Sequence, residues 1–401
     1  MMDYQTALTN VLHEQEVAYV TANPKSQESY KAAKAHLPGG NTRSVLFYTP
    51  FPVVIERAEG AMLWDIDGHR YTDFLGEYTA GVYGHSHPTI MAAISQALAD
   101  GIVLGGPNRY EAQLAELICN RFPSCELVRF CNSGTEAHLM AISAARATTG
   151  RDTIMAFNGG YHGGLLNYAP GAMLMNAPYE TILADYNDLE SSLDMIEANA
   201  DQLAAVILEP MQGAGGGIPA RLDFLQALRE ATTRHDIVLI FDEVMTSRLS
   251  AGGLQKQVGI TPDLTALGKY VGGGLSFGAF GGRREIMNHF DPLHTETYSH
   301  SGTFNNNVLT MAAGVAGLSQ VYTAAVAEQL NQAGDTLRDR LHEIASRHEV
   351  PLQATGVGSI LTLHFQQAPI EAVTDMVTPA DLRALYHLFM LSRGIYFGRR
   401  G

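Results

Sequence analysis

The sequence predicts an α/β protein: a large domain around a mainly parallel central sheet, and a smaller α+β domain drawn from both chain ends. Three observations lead there. The middle of the chain alternates short apolar runs of strand length with helical stretches, the pattern of parallel strands joined by crossover helices. Each run is followed by polar or glycine-rich residues, at the edge where open α/β sheets hold their ligands. The two ends of the chain read mostly as helices.

Residues 1–60 open with a helical pattern that breaks at Pro38-Gly39-Gly40, and they are assigned to the smaller domain. An extended segment, Val53 to Arg57, leads into Trp64-Asp65-Ile66-Asp67-Gly68, which reads as a hairpin with an Asp-Gly turn. The large domain is set at 61–304, with strands expected at Leu127–Cys131, Thr153–Phe157, Ala204–Leu208, Ile237–Phe241 and Leu264–Leu267. From about residue 305 the period becomes helical, over Val308 to Tyr322 and Ala324 to Glu349. Residues 305–401 are therefore assigned to the smaller domain.

The 401 residues suffice for a sizeable core, and a chain of this length is expected to form two lobes. Lys and Arg number 26 against 41 Asp and Glu, and the net charge of -15 argues against nucleic acid or an anionic membrane face. No apolar run approaches the roughly 20 residues of a membrane span. The start, Met1-Met2-Asp3-Tyr4, has no basic-then-apolar signal pattern, so a cytoplasmic protein is expected. Cys119, Cys125 and Cys131 are six residues apart, an odd set with no His cluster beside it. Reduced thiols, buried or half-buried, and no metal site are expected.

Phe241-Asp242-Glu243-Val244 closes one strand and Leu267-Gly268-Lys269-Tyr270 the next, so neighbouring strand ends offer an acid and an amine. Pyridoxal-phosphate chemistry needs that pair: a lysine for the Schiff base and an acid to keep the pyridine nitrogen protonated. Either alone reads as a buried cap or a surface lysine. Together, with Gly272-Gly273-Gly274 close behind, they favour the cofactor. Asn132-Ser133-Gly134-Thr135-Glu136 then fits both a helix N-cap with a capping box and a phosphate site at the helix start. Gly159-Gly160-Tyr161-His162-Gly163-Gly164 fits an aromatic laid against a cofactor ring, or a turn with a surface Tyr-His pair.

Together these motifs resemble the class III (subgroup II) aminotransferases of the fold-type I pyridoxal-phosphate enzymes. The resemblance runs in family order through Gly84-His85-Ser86-His87-Pro88, Asn132 to Ala137, Gly160 to Gly163, Glu209-Pro210, Asp242-Glu243-Val244, Gly268-Lys269 and Gly302-Thr303-Phe304. Glutamate-1-semialdehyde aminomutases share much of it, including Pro38-Gly39-Gly40. The segments Asn41 to Tyr48, Glu77 to His85, Glu209 to Ala214, Asp242 to Arg248 and His300 to Asn307 resemble the β-amino acid transaminases, particularly the β-phenylalanine aminotransferases.

The resemblance implies an amino-group transfer from a β-amino acid, aryl type favoured, to an α-keto acid such as 2-oxoglutarate or pyruvate. It implies Lys269 as the Schiff-base lysine and proton shuttle, and Asp242 as the partner of the pyridinium nitrogen. Tyr161 and Val244 would flank the ring, Ser133, Gly134 and Thr135 hold the phosphate, and Glu209 and Gln212 lie near the cofactor hydroxyl. Thr303 would reach the partner subunit's cofactor, so a homodimer with shared sites is expected. Arg43 is matched to the arginine gripping the substrate carboxylate, Arg400 to a second, mobile one, and Tyr78 to an aryl-binding aromatic. The chain departs from its relatives by stopping at Gly401, where they continue, so the smaller domain is expected to be truncated. Phe397-Gly398-Arg399 also departs from the family's Ser/Pro-containing pattern. The alternatives are a semialdehyde aminomutase and a pyridoxal-phosphate-binding protein without turnover.

Overall fold

The structure is a computed structural model describing residues 4–377 and 380–398. It divides into two packed units, Pro88–Met376 and a second that joins Met1–His87 to Val377–Gly401. The boundaries therefore fall at 87/88 and 376/377, not at 60/61 and 304/305. The reason is what the late helices bury. Helix Val308–Ala316 is apolar on nearly every side and packs against Pro88–Ala99 and Arg109–Arg121 inside the larger unit. Ala324–Arg347 packs on the hairpin Gln353–Val357 and Ile360–His364 of the same unit. A helical period identifies the helix but not the surface it covers.

The larger unit is built on a seven-stranded sheet in the order Leu127–Cys131, Gly278–Gly282, Leu264–Gly268, Val238–Asp242, Leu203–Leu208, Thr153–Phe157, Thr181–Ala184. All run parallel except Gly278–Gly282. The five strands expected from the sequence are present, their ends shifted by at most one residue. Thr181–Ala184 and Gly278–Gly282 were not foreseen. The second reads Gly-Ala-Phe-Gly-Gly, a composition that argues against a strand, since glycine has no side chain to pack. Close approach explains it: a Cβ on Gly278 would lie 2.1 Å from the Ser133 carbonyl oxygen, and one on Gly282 as close to that of Asp263.

Central strands such as Leu203–Leu208 and Val238–Asp242 are buried throughout because helices cover both sheet faces. Helix Gly134–Thr149 sets Ala137, Ala141, Ile142 and Ala145 against one face. Helix Leu222–Arg234 sets Phe224, Leu225 and Leu228 against the other. Each such large apolar side chain contributes roughly 1.5–3 kcal/mol on burial.

In the smaller unit Ile55–Glu59, Met62–Asp65 and Arg70–Asp73 form an antiparallel meander, and Ile395–Tyr396 adds a parallel edge strand. The Asp-Gly turn is as expected: Gly68 has φ +98° and its N–H donates to the Asp65 carbonyl at 3.1 Å. One core holds Tyr19, Tyr48, Phe51, Val53, Leu63 and Tyr71 together with Leu388 and Leu391, uniting the two chain ends. Among the described residues no single helix is long and apolar enough to cross a membrane.

Candidate active site

Parallel pairing puts Asp242 opposite Ala266, so Lys269 follows three residues later from the neighbouring strand end. The backbone there is unusual. Gly268 is fully extended, and Lys269 has φ +54°, the left-handed region that costs an L residue on the order of 1–3 kcal/mol. Lys269 is half-buried.

Asp242 is buried between two imidazoles. His162 Nδ1 donates to its Oδ2 at 2.8 Å, and His138 Nε2 lies 3.0 Å from the same oxygen. Its Oδ1 accepts the Val244 N–H at 2.9 Å. Burial alone would raise the Asp242 pKa, but the two histidines outweigh it and hold the carboxyl well below its ordinary range. Among the described residues these three side chains are also the one group of His, Cys, Asp and Glu spaced closely enough for a metal ion. Their mutual contacts already account for them as an acid held between two bases.

Glu209 shows the opposite shift. Its carboxylate accepts the Tyr161 N–H at 3.1 Å and the Gly213 N–H at 2.9 Å, yet burial and the charge of Asp242 push it up to about 7. Gln212 is buried, with Nε2 donating to the Asn158 carbonyl at 2.9 Å and Oε1 left without a hydrogen-bond partner. Tyr161 is 44% exposed, an open aromatic beside buried acids.

The helix beginning at Gly134 is capped as its sequence indicates. Ser133 Oγ accepts the Glu136 N–H at 3.2 Å, and Glu136 reaches back to the Asn132 N–H at 3.0 Å. The N–H groups of Gly134 and Thr135 have no acceptor within the helix. Gly163, at φ +111°, lies against this turn so closely that a Cβ would sit 2.1 Å from Thr135 Oγ1. The Val244 side chain is wedged between Gly134 and Gly268, within 3.1–3.3 Å of where their Cβ atoms would be. The larger unit thus brings Ser133, Gly134, Thr135, Val244 and Gly268 into one cluster and Tyr161, Glu209 and Asp242 into another. Thr303 and its neighbour Phe304 are exposed.

In the smaller unit Arg43 pairs with Glu77 and lies over the Tyr78 ring, 5.7 Å from its centroid. Tyr78 Oη donates to the Val45 carbonyl at 3.2 Å. Arg400 lies outside the described residues.

Residues 47–387 match the class-III aminotransferase family. The chain belongs to that family. It is 50% identical over 384 residues to the β-phenylalanine transaminase of Variovorax paradoxus, covering 96% of this chain and 88% of that protein. The crystal structure of a β-phenylalanine aminotransferase from the same organism superposes with a TM-score of 0.97 at 49% identity, over 98% and 92% of the two chains. A glutamate-1-semialdehyde 2,1-aminomutase of Brevibacillus brevis is 38% identical over 92% of this chain and 90% of its own length.

As a class-III aminotransferase the chain uses pyridoxal phosphate, and the residues present fit that cofactor. A carboxylate held ionised suits a pyridinium partner, the Gly163 cradle and bare first-turn N–H groups suit a phosphate, and the orphaned Gln212 Oε1 suits a hydroxyl donor. The sequence did not reveal His138 or the task of His162. His138 sits four residues after Gly134 among alanines, and nothing in that spacing points to a strand end more than a hundred residues away. An acid expected to stay charged inside a core was the available signal, because it must find a cationic or donor partner.

Proposed function

We propose that this aminotransferase moves the amino group of a β-amino acid, an aryl one such as β-phenylalanine, to an α-keto acid such as 2-oxoglutarate or pyruvate. The substrate class is supported by half-identity to a β-phenylalanine transaminase over nearly the whole chain. The reaction type is supported by one observation above the others: Asp242, kept anionic by two histidines, at a strand end beside the one that carries Lys269.

Pyridoxal phosphate, when bound, supplies a conjugated ring that takes up the electron pair left as the C–H bond beside the amino group breaks. The chain's own residues do the rest. Asp242 holds the ring nitrogen protonated, Tyr161 and Val244 flank the ring, and Ser133, Gly134 and Thr135 bind the phosphate. Glu209 and Gln212 meet the hydroxyl side. Lys269 would anchor the cofactor, and its Nζ would carry the proton from the amine-bearing carbon to the cofactor. The left-handed backbone at Lys269 fixes where that amine projects. Arg43 binds the substrate carboxylate through its planar fork, Tyr78 lines the aryl side, and Arg400 serves the keto acid's carboxylate.

The enzyme works as a cytoplasmic homodimer in which Thr303 reaches the partner's cofactor. The exposed Thr303-Phe304 pair and the exposed apolar run Ile102-Val103-Leu104 support a subunit interface. Three unpaired cysteines suit a reducing compartment. The deciding experiment mixes the purified holoenzyme with β-phenylalanine and follows its visible absorbance. Loss of the cofactor band with the amino acid, and recovery with 2-oxoglutarate, is expected. Indifference to β-phenylalanine with a response to another amine would discard the substrate. Turnover of a semialdehyde without any keto acid would make the enzyme an aminomutase.

A further inference from the structure

Arg43 does not stand open in the smaller unit; a carboxylate already occupies it. The partner is Glu77, and both side chains are about half exposed, at 42% and 52%. The backbone that delivers Glu77 is strained. Gly76, Glu77, Tyr78 and Thr79 have φ of +51°, +49°, +52° and +78°, so three consecutive non-glycine residues occupy the left-handed region. Such a run is unfavourable for L side chains and persists only where its surroundings dictate it.

Here they do. Asp73 Oδ1 accepts the N–H groups of Leu75 and Gly76 at 2.9 and 3.0 Å, and the Gly81 N–H donates to the Gly76 carbonyl at 2.9 Å. Tyr78 Oη is tied to Val45, on the short turn that follows Arg43. The strained turn therefore accomplishes one thing: it sets a carboxylate and an aromatic face against one guanidinium.

We propose that Glu77 is a substrate-displaced counter-ion, occupying Arg43 in the resting enzyme and giving way to the substrate carboxylate. This rests on the reading of Arg43 as the carboxylate-binding residue. A guanidinium fork holds one carboxylate well, so Glu77 and an incoming carboxylate compete for the same donors. The competition is mild because the resident pair is partly hydrated and exposed pairs are weak. It also selects. An amine without a carboxylate gains nothing from a neutralised Arg43, whereas a β-amino acid replaces the pair with one of equal charge. Tyr78 keeps the guanidinium in place during the exchange.

The test uses the holoenzyme and three probes: β-phenylalanine, 3-phenylpropionate as a carboxylate without an amine, and 1-phenylethylamine as an amine without a carboxylate. For Glu77→Gln the KM for β-phenylalanine and the calorimetric Kd for 3-phenylpropionate should each fall about two- to fivefold, the ratio an exposed ion pair supports. Its kcat and the KM for 1-phenylethylamine should not change. A KM for β-phenylalanine that rises or stays the same overturns the proposal, a rise meaning that Glu77 orients Arg43 for binding. Glu77→Asp, one methylene shorter, should shift the same way by less and serves if the Gln variant misfolds. Arg43→Gln separates the two readings. If it leaves KM and Kd unaltered, Arg43 is not the carboxylate site; if it weakens both while Glu77→Gln strengthens neither, only the counter-ion idea fails.

Discussion

Two carboxylates of the molecule, Asp242 between two imidazoles and Glu77 against a guanidinium, are set in opposite ways. Around Asp242 everything is buried, both carboxylate oxygens are engaged, and two histidines converge on Oδ2. Around Arg43 the ion pair is half exposed and rests on a strained surface turn. Two unit charges 4 Å apart interact by about 1 kcal/mol in water and about 4 kcal/mol at the effective dielectric near a protein surface. The two histidines thus hold the Asp242 charge inside the core, while exposure leaves the Arg43 charge exchangeable. In the proposed roles, the first arrangement suits a cofactor kept through many turnovers, and the second suits a substrate that must leave.

The largest effects should come from the buried side. Lys269→Ala should lower transamination about 10³-fold or more, since in the proposed mechanism it removes the proton-carrying amine and the cofactor anchor together. Single-turnover absorbance with β-phenylalanine measures it; retention of a tenth of the rate would sink the assignment. Asp242→Asn strips the anion from between His138 and His162. A hydrogen bond to a charged group is worth about 1.5–3 kcal/mol, so the melting temperature should fall markedly and the cofactor should be lost on dialysis. A variant as stable as the parent would mean that the histidines do not depend on the charge. Because the Asp242 carboxyl is held below its unfolded range, its contribution to stability is present above about pH 4 and is lost as the pH falls further.

Glu209 tests whether the buried site holds a proton that the unfolded chain releases. Its carboxyl is raised to about 7 from 4.5, by burial first and by Asp242 next. A raised acid contributes stability that is full below its unfolded value and lost as pH climbs through its folded value. The parent should therefore weaken between pH 5 and pH 8, by on the order of 2–3 kcal/mol from this group. Glu209→Gln should flatten that slope even though one of its two backbone hydrogen bonds is lost. Melting curves across the window check it, and parallel slopes for parent and variant would mean that the Glu209 carboxyl is not raised.

The same contrast explains what was legible in the sequence. Strand cores such as Ala204–Leu208 announce themselves, because a strand covered on both faces must be apolar at every position. Gly278–Gly282 was hidden because its sequence is dictated by neighbours that approach too closely for a side chain, and those neighbours are remote in the chain. Asp242 and Lys269 could be paired because each ends a recognisable strand. His138 could not, since a helix period says which face is buried and not which charge waits beneath it. Glu77 stands in a recognisable motif, but its contact with Arg43 depends on a left-handed turn that L residues rarely adopt.

The smallest effect should come from Tyr78, and it sharpens the picture of the exposed cluster. Tyr78 offers Arg43 a ring face and offers Val45 a hydroxyl. Tyr78→Phe removes only the hydroxyl, a neutral hydrogen bond worth about 0.5–1.5 kcal/mol to stability, and keeps the ring beneath the guanidinium. Tyr78→Leu removes the ring as well, giving up about 0.5–1 kcal/mol of cation–π attraction at an exposed site. If the aromatic steadies Arg43, the Phe variant should bind 3-phenylpropionate as the parent does, and the Leu variant about two- to fivefold more weakly. Equal weakening in both would shift the burden to the hydroxyl tether. That would make the loop carrying Val45, rather than the ring, the element that holds Arg43 in place while its carboxylates exchange.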